Sequence, residues 1–503
     1  MPRHLRSLSD GAALLECSNA EALALAASLV EQRPDGFLDA VPGARTLLVL
    51  FDPDRFDPEP LAHAAADARV RTPRTVRLPT LYDGADLDAF SIPRDEVVRL
   101  HAGADYTVAF LGFAPGFAYL AGAPRELSVP RLRTPRVRVP AGSVAVADGY
   151  SGIYPVECPG GWRLLGRVAA RLFDPAASPP SLLQPGDHVV FEPAASLEAP
   201  GPARDGERLR ARAQQGEPVL RVVSPGPFTS VQGAPRYGLS ASGVPAGGAM
   251  DLPLLAAANA LLGNAPGAPG LEITVLGPEL EALLPVRLAL SRGEVRELRP
   301  GERLKTGPVR SGVREYLCLD GGFAQPLPGE PTLPLRAGAL LCRSAAPHNR
   351  ALASAGTAPR ASTVAPVALV LRPAPRLFSG LVRAVPGPQL DTFSPASIET
   401  FFSCEFRVSA QSDRRGLRLQ GPPLELTGSA DLPPEGTAPG AVQVPGDGLP
   451  IVLGPDRPVT GGYPKIATVI SADLPLLAQA RPGAVLRFRR VTLAEALAAR
   501  RSS

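Results

Sequence analysis

YTVAFLGFAPGFAYL, residues 106–120, sets short apolar runs against Gly and Pro in a way that only short strands and tight turns accommodate. The same texture extends on both sides of it. TVRLP (75–79), VRVPAGSVAVA (137–147), WRLLGRVAARLF (162–173) and DHVVFEP (187–193) are each long enough for one strand and too short for a buried helix. Together they predict a compact β domain over residues 72–192, closed as a barrel. Working outward, PAASLEAPGPARDGERLRARAQQGEP has no periodic apolar face, so residues 193–218 read as a linker.

Upstream, AALLE (12–16) and RTLLVLF (45–51) read as strands. Ser18 followed by Glu21 is a capping box opening a helix-rich run, and a second Ala-rich helix is expected from about Pro58. Residues 1–71 therefore form a small α+β domain in which nothing looks catalytic. Downstream, residues 219–495 read as a two-lobed β unit interrupted by one clear helix, with Asp251 as N-cap, Pro253 in the first turn and Gly263 as the stop. A loose stretch over 325–366 divides its lobes. The fold class is mainly β with α+β portions.

The 503 residues include 59 Pro and 50 Gly, about a fifth of the chain, spread without a period. The formal net charge is only +4 and no Lys/Arg run is long, which argues against nucleic-acid and membrane partners and for a small-molecule substrate. The five cysteines are far apart, without zinc spacing. The N-terminus lacks a continuous apolar core and no stretch approaches twenty apolar residues, so a cytoplasmic location is expected. Lys305 and Lys465 are the only lysines, which marks Lys465, after two glycines and a Tyr-Pro step, as a positioned charge. P-loop, Rossmann, GxSxG and HExxH motifs are all missing from the sequence.

Glycine-rich clusters at 112–120, 139–143 and 152–162 permit close backbone approach to an anion; turn chemistry explains any one of them equally well. PRLRTPRVRVP brings Arg131, Arg133, Arg136 and Arg138 within eight residues, as a cationic wall or as solvated edge arginines. His101 is open between proton carrier and strand-end histidine, and Trp162 reads as core or cavity lining. In the second half, Asp413 beside Arg414 offers a carboxylate and a guanidinium fork, or a capped turn.

Taken in order, these segments resemble a known pair of proteins. YDGADLD (82–88), LGFAPGFAYL, VPAGSVAVAD, SGIYP, CPGGWRLLGR and LQPGD resemble the B-type component of bacterial ATP-dependent 5-oxoprolinase. SVQG, GVPAGGAMD, SDRRGLRL, GAVQVP, GLPIVLGPDRPVTGGYPKIATVIS and RPGAVLRF resemble its C-type component. Both are related to the carboxyltransferase domains of urea carboxylase and to the family known as allophanate hydrolase subunits 1 and 2. The resemblance implies cyclophilin-like β-barrels in both halves and ATP-dependent opening of 5-oxoproline to glutamate together with a separate A-type 5-oxoprolinase subunit. It implies that Asp413 holds Mg2+, that Arg414 and Lys465 neutralise the phosphate of ATP, and that Gln443 pairs with the amide. Gly461, Gly462 and Tyr463 accompany them, while Arg136, Ser143, Tyr154, Gly160 and Gly161 line a facing cavity. Two other functions compete. One is a regulatory binding protein of the sporulation-kinase-inhibitor kind; the other is a biotin-dependent amide carboxyltransferase. The segment Gly233–Gly238 departs from the family pattern by lacking its Asp, which puts Arg236 in doubt as a ligand.

Overall fold

The computed structural model describes residues 3–66, 72–132, 136–198, 216–344 and 378–502. It begins with a four-stranded antiparallel sheet, β1 (Leu5–Ser9), β2 (Ala12–Glu16), β3 (Phe37–Pro42) and β4 (Thr46–Phe51), in the order β1-β2-β4-β3. The helix Asn19–Gln32 starts at the expected capping box, with the Glu21 amide donating to Ser18 Oγ and the Ser18 amide to Glu21 Oε2. Such a cap contributes about 1 kcal/mol. Leu25 and Leu29 pack on Leu15, Leu47 and Val49 across one face of the sheet. Leu14, Val41 and Leu48 on the other face meet Ala438 and Val459 of the second half. Coverage on both faces explains why TLLVLF is apolar without alternation. The helix expected near Pro58 is only a 3-10 turn, Glu59–Ala62: Pro58 and Pro60 withhold two amide donors, and Asp57 caps Glu59. Residues 67–71 lie outside the described residues.

The middle of the chain is a barrel. Its strands are β5 (Thr75–Leu81), β6 (Tyr106–Leu111), β7 (Ala118–Ala121), β9 (Ser143–Ala147), β10 (Tyr150–Ile153), β12 (Arg163–Val168) and β13 (His188–Pro193). They close in the circuit β5-β12-β9-β10-β7-β6-β13, the last strand returning parallel to the first. β8 (Arg136–Val139) and β11 (Cys158–Gly160) pair apart from it as a small ribbon. Leu78, Val108, Leu120, Val144 and Phe191 fill the interior.

The first lobe of the second half holds β14 (Pro218–Ser224), β15 (Phe228–Gln232), β16 (Gly270–Thr274), β17 (Glu279–Ala282), β18 (Val286–Leu290), β19 (Glu294–Leu298), β20 (Arg303–Lys305), β21 (Arg314–Leu319) and β22 (Leu340–Cys342). Two antiparallel sheets, β20-β17-β14-β22 and β15-β16-β21-β18-β19, enclose one core. The helix Leu252–Ala260 begins as expected, with Asp251 Oδ1 accepting from the Leu254 amide. Within the loose stretch expected at 325–366, Leu340–Cys342 is an ordered strand of this lobe; 345–377 and 199–215 lie outside the described residues.

The last lobe is a second closed barrel: β23 (Leu381–Pro386), β24 (Glu405–Val408), β25 (Gly416–Gln420), β27 (Ala441–Gln443), β28 (Ile451–Leu453), β30 (Lys465–Val469) and β31 (Val485–Arg490), with β26 (Glu435–Gly436) and β29 (Thr460–Gly461) as a separate ribbon. Its circuit is β23-β30-β27-β28-β25-β24-β31, and β31 again returns parallel to the first strand. Strand for strand, this repeats the first barrel. Two cyclophilin-like barrels, one in each half, thus make the chain mainly β.

Candidate functional site

Glycines bring the two halves together. In the GFAPG loop, Phe113 adopts a left-handed φ of 61° and its amide donates to Thr460 Oγ1 at 2.7 Å. Tyr119 Oη lies 3.2 Å from the same hydroxyl. Gly112 packs so tightly on Thr460 that no Cβ could stand there. The Gly116 amide reaches the Ser242 carbonyl at 3.0 Å, so one loop of the first half grips both lobes of the second.

At the centre of this seam lie Gly461 and Gly462. A Cβ on Gly461 would stand 2.5 Å from Gln443 Nε2, and one on Gly462 would stand 2.7 Å from both terminal nitrogens of Arg131. The glycine pair is thus a thin partition between an amide of the second barrel and a guanidinium of the first half. Arg131 is fixed by Asp148, its Nε donating to Oδ2 at 2.8 Å. Burial works against its charge, but Tyr119, Asp148 and Asp431 outweigh that and raise its pKa. Burial pushes up the Tyr119 and Tyr463 hydroxyls, keeping them protonated.

Behind Gln443, Lys465 is fully buried and its Nζ is paired with Glu435 Oε1. Gln389 braces the pair: its Nε2 donates to Glu435 Oε1 at 2.7 Å and its Oε1 accepts the Lys465 amide at 3.2 Å. Removing either charge would strand the other, at a cost of about 3–5 kcal/mol. Gln443 Nε2 itself is buried with no hydrogen-bond partner among the described residues. An unmet amide donor beside a closed ion pair is an acceptor's place.

The remaining expected residues fall elsewhere, and several have other duties. Asp413 is exposed, and its Oδ1 caps its own turn through the amides of Arg415 and Gly416. Among the described residues no group of three His, Cys, Asp or Glu is placed to hold a metal, and Asp413 Oδ1 is taken up by its own turn. Arg414 is a buried clamp between the lobes, bonded to Asp456 at 2.8 and 3.0 Å and to Glu272 at 2.6 Å. Its guanidinium has no free face for a phosphate. Arg136 is held by both oxygens of Asp86, Ser143 Oγ donates to the Pro140 carbonyl, and Tyr154 sits in an aromatic cluster with Phe113, Phe117 and Trp162. Gly160 packs on the Tyr154 hydroxyl, and the Gly161 carbonyl accepts the Leu132 amide. His101 is buried and neutral, its pKa lowered by burial to about 3, between Tyr82 Oη and Ser151 Oγ. It is a core histidine with both ring nitrogens engaged. Arg133 lies outside the described residues.

Sequence alone does not single out Arg131, Glu435 and Gln389 as site residues. Arg131 is visible there as one of four arginines, but only its contact with Gly462 separates it from the others. Gln389 carries no motif of its own, and Glu435 stands in Pro434-Glu435-Gly436, where the family's Ser-Glu-Gly pattern has lost its Ser.

Comparison with known proteins agrees with this architecture. Residues 4–183 match the family described as carboxyltransferase domain, subdomain C and D, and residues 242–490 match subdomain A and B. The chain is 35% identical over 298 residues to the C-type 5-oxoprolinase subunit of Escherichia coli K12, covering 56% of this chain and 94% of that protein. It is 39% identical over 173 residues to the B-type 5-oxoprolinase subunit of Escherichia coli O157:H7, covering 31% of this chain and 78% of that protein. The crystal structure of TTHA0988 overlays with a TM-score of 0.76 at 33% identity, spanning 96% of this chain and all of that one. With both kinds of subunit matched in succession on one polypeptide and both barrels in place, the chain belongs to the carboxyltransferase-domain family of 5-oxoprolinase B and C subunits, as a B/C fusion.

Proposed function

We propose that this chain is the B/C component of an ATP-dependent 5-oxoprolinase, binding 5-oxoproline at the glycine seam and activating its lactam for cleavage to glutamate together with a separate A-type subunit. The observation that carries this reading is the buried, unmatched Nε2 of Gln443, separated by Gly461 and Gly462 from the Arg131 guanidinium. 5-Oxoproline carries an amide and a carboxylate, and the two sides of the partition offer a partner for each. Gln443 donates to the lactam oxygen. Arg131 faces the carboxylate with the edge not engaged by Asp148.

A lactam is a poor electrophile, and phosphorylating its oxygen turns that oxygen into a leaving group. Lys465 is then the local cation behind Gln443, paired with Glu435 and positioned by Gln389. ATP supplies the phosphoryl group in this scheme. No step is assigned to Mg2+.

A second reading, a biotin-dependent amide carboxyltransferase, draws on the matched family descriptions and on 30% identity over 311 residues to the putative urea carboxylase of Emericella nidulans, of which the chain spans 25%. Mixing the chain with an A-type 5-oxoprolinase subunit, 5-oxoproline and ATP separates the two. Stoichiometric glutamate and ADP support the lactam reading; no product there, with carboxylation of urea when a biotinylated carrier is supplied, overturns it.

A further inference from the structure

Away from the seam, the N-terminal sheet, the loop before Ser240 and the second barrel meet at a junction that contains one buried cation without a counter-ion. Arg457 is 2% exposed. Its Nε donates to the Thr437 carbonyl at 2.8 Å, and this is the guanidinium's only hydrogen bond among the described residues. None of their carboxylates lies within ion-pair distance of it. The two nearby acids are committed: Asp456 to Arg414 through both oxygens, and Asp39 to the Gly238 amide at 2.8 Å and the Ser240 hydroxyl at 2.7 Å.

Burial dominates and draws the Arg457 pKa down to about 10, although Tyr237, Asp39 and Asp456 favour the charge from further off. The group stays protonated at neutral pH. Buried charges in folded proteins are paired, because an unpaired one costs several kcal/mol. The other buried arginine among the described residues, Arg414, follows that rule with Glu272 and Asp456, and the half-buried Arg292 has Glu294 and Glu315. Tyr237, which acts on the Arg457 charge from beside the junction, is 36% exposed, so the junction lies near the protein surface.

We propose that Arg457 is the floor of a binding site for one small oxyanion, a carboxylate or a phosphate group, at the junction of the N-terminal sheet, Tyr237 and the second barrel. The guanidinium fork supplies two parallel donors, and the anion supplies the charge the protein lacks there. The site is independent of the lactam reading, and its test does not involve turnover.

The thermal midpoint of the full chain is measured in sodium phosphate and in sodium acetate, against sodium chloride at equal ionic strength. One or both oxyanions should raise the wild-type midpoint by a few degrees in a saturable way. Phosphate alone identifies a phosphate site and acetate alone a carboxylate site. Arg457→Met should abolish that rise while leaving the midpoint in chloride equal or higher, since it removes an uncompensated buried charge. A wild type insensitive to both oxyanions overturns the proposal, and so does a rise that survives Arg457→Met. If that variant fails to fold, Arg457→Lys should increase the half-saturating anion concentration at least tenfold; an unchanged value is equally fatal.

Discussion

The two barrels repeat one another down to single hydrogen bonds, and they differ where chemistry is expected. In the first, Leu164 pairs with Ala145, the next residue bulges, and Gly166 pairs with Val144. In the second, Lys465 pairs with Gln443, Ile466 bulges, and Ala467 pairs with Val442. The ribbons match as well: Gly160 faces Arg136 and Gly461 faces Glu435. Even the brace recurs, since Asp86 accepts the Leu164 amide at 2.6 Å and bonds Arg136, while Gln389 accepts the Lys465 amide and bonds Glu435. The same backbone therefore supports Leu, Ala and a partly buried Arg–Asp pair in one copy, and Lys, Gln and a buried Lys–Glu pair in the other. Scaffold and side-chain chemistry are separable here, and of the two copies only the second places a buried Lys–Glu pair beside a glutamine amide.

The largest effect that would break this contrast is at Lys465. Lys465→Met should lower glutamate formation with the A-type subunit about a thousandfold, the loss typical of a removed transition-state donor. It also leaves Glu435 buried and unpaired. Pairing it with Glu435→Gln should recover most of the denaturation midpoint while turnover stays lost.

The reverse exchange is next. Leu164→Lys places an ammonium at the matching point of the first barrel, where the neighbouring ribbon residue is Arg136 rather than a glutamate. Urea unfolding should show destabilisation of about 3 kcal/mol or more, with normal turnover per folded molecule. A smaller effect is expected at the partition. Gly462→Ala collides with the Arg131 guanidinium and should raise the KM for 5-oxoproline roughly tenfold to a hundredfold, with little change in kcat.

The smallest effect concerns the ends of the barrels. Phe191 is capped by the His101 ring at 4.6 Å, and Phe488 by Phe401 at 4.5 Å. His101 binds a proton near pH 6.5 when unfolded but only at about 3 when folded, so the unfolded state holds more protons between those values. Its contribution to stability is complete above pH 6.5 and declines as pH falls toward 3. His101→Gln should flatten that part of the stability profile, measured by urea midpoints from pH 7 to 4. A slope unchanged from wild type would place its origin elsewhere.

Much of this is legible in the sequence. The β texture around 106–120, the Ser18–Glu21 box and the Asp251 cap are local signals, and local chemistry decides them. The glycine pair and Gln443 are marked by motif, and the seam gives them neighbours. Sequence misleads where partners are distant in the chain. Arg414 looks like a phosphate fork because Glu272, its partner 142 residues earlier, leaves no trace beside it. Asp413 looks like a ligand because a capped turn and a metal carboxylate share one motif. The repeat leaves only short marks, LDAFS (87–91) against LDTFS (390–394) and Gly160–Gly161 against Gly461–Gly462, because apolar and polar residues fill many of the other matching positions.

Small-amide recognition, on this account, belongs to the second barrel alone. Calorimetric titration of 5-oxoproline into the wild type, Gln443→Leu and Ser143→Ala tests that most directly. Binding at least tenfold weaker in Gln443→Leu, a loss of about 1.4 kcal/mol, with wild-type affinity in Ser143→Ala, is the predicted result. Unchanged affinity in Gln443→Leu, or affinity lost in Ser143→Ala, would contradict it.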